Sequence, residues 1–313
     1  MKKIVILTIF VFLITLIFSS CSLFNTCLGV HTSDEKYFRD DVSHWKKCAK
    51  CDSIFEKTEH VLNSDGMCDI CQMVLLPTEG VMYELSEDGT YARVIGYNGT
   101  NDRVRFAEVY QNTPVKTIKE HAFEGNLAII DVVIPDSIVK IDDRSFMGCS
   151  NMETVFIGAN VLDIGEDVFL ACNGLISIEV DENNTSYKSI DGNLYTHDLE
   201  SLIQYSIGKM DDEFVVPEGV VYIERHSFFR ANVKSVVLPD TVKVIGFGAF
   251  TTSSINSITI GCGVQIINND AFGYCPNLSD VYYCGNEIDW SNIIIEYSNE
   301  YLEDANIYYN FIL

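Results

Sequence analysis

Apolar residues recur along most of this chain in a phrase that repeats every 22 or 23 residues. The phrase begins with Val or Ile, places Ile three positions later and Phe five positions after that, as in Val115, Ile118 and Phe123. It returns around Phe146, Phe169, Phe228, Phe250 and Phe272. The Phe positions are separated by 23, 23, 59, 22 and 22 residues. Allowing one repeat of 23 within the long interval leaves an insertion of 36 residues between Phe169 and Phe228.

A second phrase follows each Phe and predicts a short β-strand. A Leu-like residue comes first, and then two apolar residues separated by one position: Val132/Ile134, Val155/Ile157, Ile178/Val180, Val236/Leu238, Ile258/Ile260 and Val281/Tyr283. Alternation of β-branched residues is typical of strands. Because a unit this short cannot bury its apolar face alone, successive units are predicted to stack as coils of a parallel solenoid. Adjacent coils would lie ~4.8 Å apart, with the recurring apolar residues in internal ladders.

Two stretches carry a family resemblance. Residues 245–250 (IGFGAF) and 271–278 (AFGYCPNL) are similar to the BspA-like class of bacterial leucine-rich repeats, and the resemblance extends over residues 82–300. It implies a capping strand at 91–97 and a β-hairpin in the insertion, with Asp191–Gly192 as its turn. It also implies a surface-exposed adhesion or interaction module rather than an enzyme.

The N-terminus predicts export. Lys2 and Lys3 precede an apolar run over residues 4–18, which is followed by two Ser and Cys21, the pattern of a secretory signal peptide. The fifteen-residue run spans only ~22 Å as a helix, less than the ~30 Å hydrocarbon core of a membrane. Residues 17–21 (IFSSC) resemble a bacterial lipoprotein box, which implies lipidation of Cys21 and anchoring to the membrane at the cell surface. Simple secretion and an uncleaved signal anchor are the alternatives.

Four cysteines follow with the spacing of a zinc ribbon. Cys48 and Cys51 are separated by two residues, as are Cys68 and Cys71, and sixteen residues lie between the pairs. Two such knuckles can direct four thiolates at one tetrahedral ion, so the spacing predicts one structural zinc. Because thiols oxidise outside the cell, disulfides among these four cysteines are the alternative.

The complete prediction is a mainly β protein with a leucine-rich-repeat-type parallel solenoid. Its segments in order are a signal peptide (1–20), a tether (21–30), a four-cysteine zinc-ribbon-like module (31–76), a linker with N-terminal capping strands (77–114), the solenoid (115–284, with a β-hairpin insertion at about 181–219) and a C-terminal cap (285–313).

Charge and composition argue against some classes of function. The 45 acidic residues outnumber the 21 basic ones, and the net charge of −24 argues against nucleic acid as a partner. The sequence contains no Gly-rich phosphate loop, nucleophile elbow or metalloprotease His pair, so no catalytic activity is predicted. Cys149, Cys172 and Cys275 each follow a ladder Phe by three positions, and a residue that recurs in this way is predicted to pack as a small apolar group.

A candidate binding face follows from the alternation. The residue between each inward pair should point outward, and this column reads Val133, Phe156, Glu179, Val237, Thr259 and Tyr282. Exposed apolar surface of this kind usually marks a contact site. We therefore predict that Val133, Phe156, Val237, Thr259 and Tyr282 bind an extracellular protein or glycan. The alternatives are that the N-terminal module or the inserted hairpin covers this face, and that the protein is an envelope spacer without a ligand.

Overall fold

The computed structural model describes residues 38–39, 43–47, 54–59, 61 and 76–312, and the chain divides into two compact units, 1–75 and 76–313. The first unit contains a three-stranded antiparallel sheet with β2 in its centre, formed by β1 (Phe38–Arg39), β2 (Ser43–Lys47) and β3 (Ile54–Glu59). The predicted lipidation site Cys21 and the predicted zinc ligands Cys48, Cys51, Cys68 and Cys71 lie outside the described residues.

The second unit consists of short strands and two short helices. Its first half contains β4 (Val81–Leu85), β5 (Ala92–Tyr97), β6 (Arg103–Arg105), β7 (Val109–Tyr110), β8 (Thr113–Ile118), β9 (Asp131–Ile134), β10 (Lys140–Ile141), β11 (Thr154–Ile157), β12 (Asp163–Ile164) and β13 (Ser177–Val180). Its second half contains β14 (Tyr187–Ile190), β15 (Asn193–Thr196), β16 (Ser201–Gln204), β17 (Glu213–Val215), β18 (Tyr222–Ile223), β19 (Ser235–Leu238), β20 (Val244–Ile245), β21 (Ser257–Ile260), β22 (Ile266–Ile267), β23 (Asp280–Tyr283), α1 (Glu287–Ser291), β24 (Ile294–Ile295), α2 (Glu300–Glu303) and β25 (Asn306–Tyr308). No helix among the described residues is both long and apolar enough to span a membrane.

The coils stack in the way the repeat predicts. Each regular coil contributes a strand of about four residues and a strand of two residues, and both kinds pair in parallel with their counterparts in the next coil. The longer strands form the sheets β13-β11-β9-β6 and β17-β19-β21-β23-β25. The shorter strands form sheets that begin with an antiparallel hairpin, β4-β5 in one and β14-β15 in the other. The prediction of a parallel solenoid is therefore confirmed.

Aromatic rings form the predicted ladder at the centre of the coils. Phe123 stacks on Phe146 with ring centroids 4.9 Å apart, and Phe228 stacks on Phe250 at 4.7 Å. All six predicted Phe residues are buried, and so are the Leu-like residues that follow them. Stacking at the coil spacing lets the ring of one coil pack on the ring of the next, which accounts for an aromatic residue recurring at this position.

The insertion is shorter than predicted. Strands β14 and β15 form the expected hairpin, and its turn residues Asp191 and Gly192 both have positive φ, as a two-residue type I′ turn requires. Leu202 in β16 then pairs with Ile223 of the next coil, and Tyr205 stacks on Phe228 at 4.9 Å. The predicted insertion of 181–219 therefore includes most of one coil. This coil does not match the repeated phrase because Tyr replaces Phe in its ladder position and because Leu202 precedes that Tyr by three residues instead of five.

The array also extends beyond residue 284, where the solenoid was predicted to end. Strands β24 and β25 pair in parallel with β22 and β23, so residues 285–308 form one more coil containing both helices. In a regular coil the N–H of the ladder Phe donates to a backbone carbonyl of the next coil. In the last coil the side chain of Asn299 takes the place of that carbonyl. Its Oδ1 accepts a hydrogen bond from the Phe272 N–H at 2.9 Å, and its Nδ2 donates to the Asn268 carbonyl at 3.0 Å. A side-chain amide thus terminates the backbone ladder.

Candidate functional site

The predicted binding face is not open along its whole length. Phe156 is only 3% exposed, and Val133 and Thr259 are also buried. Phe156 nevertheless lies outside the hydrophobic cluster that contains its neighbours Val155 and Ile157, so the strand register is correct. The expectation that Val133, Phe156 and Thr259 are exposed is wrong, because alternation determines the side of the sheet a residue faces but not whether that side is covered.

The C-terminal end of the same column is open and aromatic. Tyr282 is half-buried and stacks on Tyr308 at a centroid distance of 5.1 Å, while Phe311 lies 4.9 Å from Tyr282 in a tilted arrangement. Tyr308 is 47% exposed and Phe311 is 41% exposed. We call Tyr282, Tyr308 and Phe311 the aromatic cluster. Val237, two coils away in the same column, is half-buried.

Tyr308 and Phe311 were missed by the sequence analysis because it ended the solenoid at residue 284. The available signal was the distance of 26 residues between Tyr282 and Tyr308, close to the repeat length. Of the predicted partner-binding residues, Tyr282 is therefore the one that the structure joins to a larger exposed aromatic surface.

The recurring cysteines pack as predicted. Cys149 donates its S–H to the Phe123 carbonyl at 3.0 Å, Cys172 donates to the Phe146 carbonyl at 3.1 Å, and Cys275 occupies the same position relative to Phe250. All three are buried and unpaired with other cysteines. Burial raises the pKa of Cys149 to about 12 and raises the pKa values of Cys172 and Cys275 above the ordinary value. A protonated buried thiol is a poor nucleophile.

Cys149, Cys172 and Cys275 should resist a thiol-reactive disulfide reagent at pH 8 in the folded protein. With a pKa of about 12, only ~0.01% of Cys149 would be thiolate at that pH, even before access is considered. Site-resolved mass spectrometry should detect modification at these three positions only after denaturation. Rapid modification of any of them under native conditions would contradict the packing assignment.

One cysteine pair had no account in the sequence analysis. Cys262 and Cys284 form a disulfide between adjacent coils, with their Cα atoms 5.3 Å apart. Asp240 stands in the same column one coil earlier, and its carboxylate accepts a hydrogen bond from the Cys262 N–H at 2.8 Å. The signal was present in the sequence, because a separation of 22 residues equals the repeat length and places two residues side by side in a solenoid.

A second surface feature arises where the hairpin enters the array. Five residues centred on each ladder Phe, such as 144–148, form what we call the Phe turn. Successive Phe turns are joined by backbone hydrogen bonds, from the Arg144 N–H to the Glu166 carbonyl, from Phe146 to Val168 and from Gly148 to Leu170. The same three bonds join the Phe turn 226–230 to the next coil.

The coil that contains Tyr205 lacks a regular Phe turn. Ile164 precedes Phe169 by five positions and Ile223 precedes Phe228 by five, but Leu202 precedes Tyr205 by only three. Two residues are thus missing where the turn should project. The result is a cavity of about 440 Å³ between the Phe turns 167–171 and 226–230, which we call the turn gap.

Charged side chains reach into the turn gap from both sides. The side chain of Asp167 is only 2% exposed, and its Oδ1 lies 2.8 Å from the Nδ1 of His226 and 3.4 Å from the Nε of Arg225. The contact with Arg225 is an ion pair without hydrogen-bond geometry. Arg225 also pairs with Glu166. Because the carboxylate of Asp167 can only accept when ionised, Nδ1 of His226 carries the proton. These residues are 59 positions apart in sequence, and neither was singled out from the sequence.

The electrostatics of Asp167 reflect this arrangement. Burial acts to raise the pKa of its carboxyl group, but the hydrogen bond from His226 and the charges of Arg225 and Arg144 outweigh it. The pKa of Asp167 therefore lies below its ordinary value. Asp167 is a charged anchor that joins the two walls of the turn gap.

Family comparison agrees with this architecture. Residues 100–202 and 205–310 match the family described as BspA type leucine rich repeat region, in six copies. The chain belongs to this family. The break between the matched segments, at residues 203–204, falls in the coil that lacks a regular Phe turn. No match is found among curated proteins.

Several solved structures are similar to this chain at low sequence identity. A leucine rich repeat protein from T. pallidum is 22% identical, with 66% of this chain and 80% of that chain covered and a TM-score of 0.40. A leucine rich cell surface protein from Faecalibacterium prausnitzii A2-165 is 18% identical, with 70% and 97% covered and a TM-score of 0.35. Pneumococcal vaccine antigen PcpA is 15% identical, with 89% and 88% covered and a TM-score of 0.44.

Proposed function

We propose that this protein is a non-catalytic interaction scaffold on a bacterial cell surface, binding an extracellular protein or glycan through the aromatic cluster. The observation that carries the proposal is the exposed stack of Tyr282, Tyr308 and Phe311 at the end of a rigid parallel ladder. Aromatic rings provide large contact area at low conformational cost, and the Tyr hydroxyl adds a polar group for orientation. Membership of the leucine-rich-repeat family supports the proposed scaffold role, because stacked coils form extended surfaces suited to large partners.

The anchoring and metal proposals rest on the sequence. The N-terminal pattern supports export followed by lipidation of Cys21, which would place the solenoid outside the membrane. The paired-knuckle spacing of Cys48, Cys51, Cys68 and Cys71 supports one structural zinc in the first unit, with disulfides as the alternative. Neither feature is needed for the aromatic cluster to act as a binding surface.

A structural spacer is the second candidate function. It is favoured by the burial of Val133, Phe156 and Thr259, which leaves the predicted binding column open mainly at its C-terminal end. A spacer would bind no specific ligand, so a binding measurement separates the two functions.

Truncating two rings of the aromatic cluster should weaken ligand binding. The full-length protein in detergent micelles would be screened against immobilised glycans and extracellular-matrix proteins, and affinities measured for any saturable binder. Loss of stacked aromatic contacts in Tyr282→Ala/Tyr308→Ala should reduce affinity about tenfold or more. The control is Val215→Ala, an exposed residue at the other end of the same ladder in this half of the solenoid. Thermal unfolding of both variants checks that the fold is retained.

Saturable binding that survives the double substitution would place the contact elsewhere on the protein. Absence of saturable binding to either panel would favour the spacer.

A further inference from the structure

We propose that the turn gap binds an extended peptide segment bearing a Lys or Arg side chain, which takes the place of the part of the Phe turn that the coil of Tyr205 lacks. This inference is independent of the aromatic cluster, which lies in another part of the array. It is carried by unpaired backbone donors, by the width of the cavity and by the charge of its lining.

One wall of the turn gap carries backbone N–H groups without acceptors. In regular coils, the N–H groups two residues before the ladder Phe, at the Phe and two residues after it all donate to the next coil, as Arg144, Phe146 and Gly148 do. The corresponding groups belong to Asp167 and Phe169, which line the turn gap, and to Ala171, which follows them on the same turn. Within the described part of the chain, none of these three N–H groups has a hydrogen-bond acceptor. A row of backbone donors without protein acceptors resembles an open strand edge.

The opposite wall offers a matching acceptor. The carbonyl of Arg225 occupies the position of the Glu166 carbonyl in the preceding regular coil, where it would accept from a Phe turn. Among the described residues, no N–H donates to the Arg225 carbonyl, whereas the next carbonyl of this wall, that of Ser227, already accepts from the Tyr205 N–H at 3.0 Å. The two walls therefore present donors on one side and an acceptor on the other, which is the pattern that an additional backbone segment satisfies.

The width fits one such segment. Phe228 stacks directly on Tyr205, so the coil of Tyr205 lies between the coils of Phe169 and Phe228. Two coil spacings of ~4.8 Å separate the Phe turns on either side, and one strand placed midway is within hydrogen-bonding distance of both. The cavity of about 440 Å³ is within the range of ligand pockets.

The lining selects for positive charge. Five carboxylates line the gap, those of Asp143, Asp163, Glu166, Asp167 and Glu224, against one guanidinium and one imidazole. Asp167 pairs with Arg225 and Arg144, Glu166 pairs with Arg225, and Asp163 pairs with Lys140. Glu224 accepts a hydrogen bond from the hydroxyl of Ser201 and has no basic partner among the described residues. A basic side chain on the bound segment would meet these carboxylates, and the net charge of −24 favours approach of a cationic peptide.

The probe is the peptide acetyl-Thr-Lys-Val-Lys-Thr-amide, added at millimolar concentration to the full-length protein in detergent micelles. Amide hydrogen–deuterium exchange should slow in the segment containing Asp167, Phe169 and Ala171, because their N–H groups would donate to peptide carbonyls. Acetyl-Thr-Glu-Val-Glu-Thr-amide should give no protection because its charge is wrong. Spermidine, which has the positive charge but no carbonyls, should also leave exchange in this segment unchanged.

Two substitutions test the location. Ile203 lines the turn gap, and Ile203→Trp should fill it and abolish protection by the lysyl peptide. The exposed Ile176 does not line it, and Ile176→Trp should bind as the wild type does. Glu224→Gln keeps the acceptor for Ser201 but removes a charge, and should weaken binding about two- to fivefold. Its control is the exposed Glu213→Gln, which should have no effect.

The proposal is overturned if the lysyl peptide gives no protection of residues 167–171 at 10 mM, or if spermidine protects them equally. Protection by a neutral oligosaccharide but not by the peptide would also overturn it. If Ile203→Trp disturbs folding, as thermal unfolding would show, Glu224→Gln alone decides whether the bound peptide lies in the turn gap. Tyr282→Ala/Tyr308→Ala should retain peptide binding, so failure of the proposed surface function would be seen separately.

Discussion

Replacing Phe250 with Ala should lower the free energy of unfolding by about 3–5 kcal/mol, the usual cost of truncating a buried aromatic side chain. Phe250 is fully buried and stacks between Phe228, at a centroid distance of 4.7 Å, and Phe272, at 5.1 Å. The substitution removes the ring's apolar burial and leaves a cavity facing two coils. Denaturant unfolding, monitored by circular dichroism, measures the loss.

The matched control for this substitution is Tyr297→Ala, because Tyr297 is 75% exposed. It should change stability by no more than about 0.5 kcal/mol. Because coils contact mainly their neighbours, limited proteolysis of Phe250→Ala should show its first new cleavages near the altered coil. A loss below about 1 kcal/mol would mean that the Phe ladder does not form the core.

Removing the Cys262–Cys284 disulfide should cost about 3 kcal/mol. The bond closes a loop of 22 residues, and loop-closure entropy of the unfolded chain predicts a stabilisation of this size. The Cα separation of 5.3 Å is within the ordinary range for a disulfide, so the bond fits the spacing of the coils. The double variant Cys262→Ser/Cys284→Ser should therefore expose residues 236–284 to proteolysis at lower denaturant concentration than the wild type.

Reductant provides the control for this pair. Dithiothreitol should lower the resistance of residues 236–284 in the wild type to that of the double Ser variant and should not affect the variant further. Following this segment keeps the measurement separate from cysteines in the first unit. If residues 236–284 are equally resistant to proteolysis in the wild type and the variant before reduction, the disulfide does not stabilise these coils.

The local pattern of apolar residues was sufficient to predict most of the solenoid. The spacing of Val115, Ile118 and Phe123, and its five repetitions, predicted the coils, their parallel stacking and the aromatic ladder. The type I′ hairpin was likewise readable from Asp191 and Gly192, because turn conformation depends on the turn residues themselves. The column shared by Cys149, Cys172 and Cys275 predicted their packing for the same reason.

The sequence pattern did not predict the features that depart from the repeated phrase. The coil of Tyr205 escaped a search for Phe, and the last coil, with two helices inside it, does not repeat the phrase. The disulfide of Cys262 and Cys284 could have been found, since 22 residues is one repeat. Both coils nevertheless stack in the array, because Tyr205 stacks on Phe228 and β24 and β25 pair with β22 and β23.

What the sequence determined by itself is the period, the side of the strand on which each residue lies and the ladders that follow, because these depend on neighbours within one repeat. Only the tertiary structure decided which outward residues are exposed, so that Phe156 is covered while Tyr282 joins Tyr308 in an open stack. It also decided that Asp167 meets His226 across the turn gap. The physical reason is that contacts between coils 59 residues apart depend on how many residues the intervening coil projects. The coil of Tyr205 projects fewer residues than the others, and the apolar alternation along the chain does not record this difference.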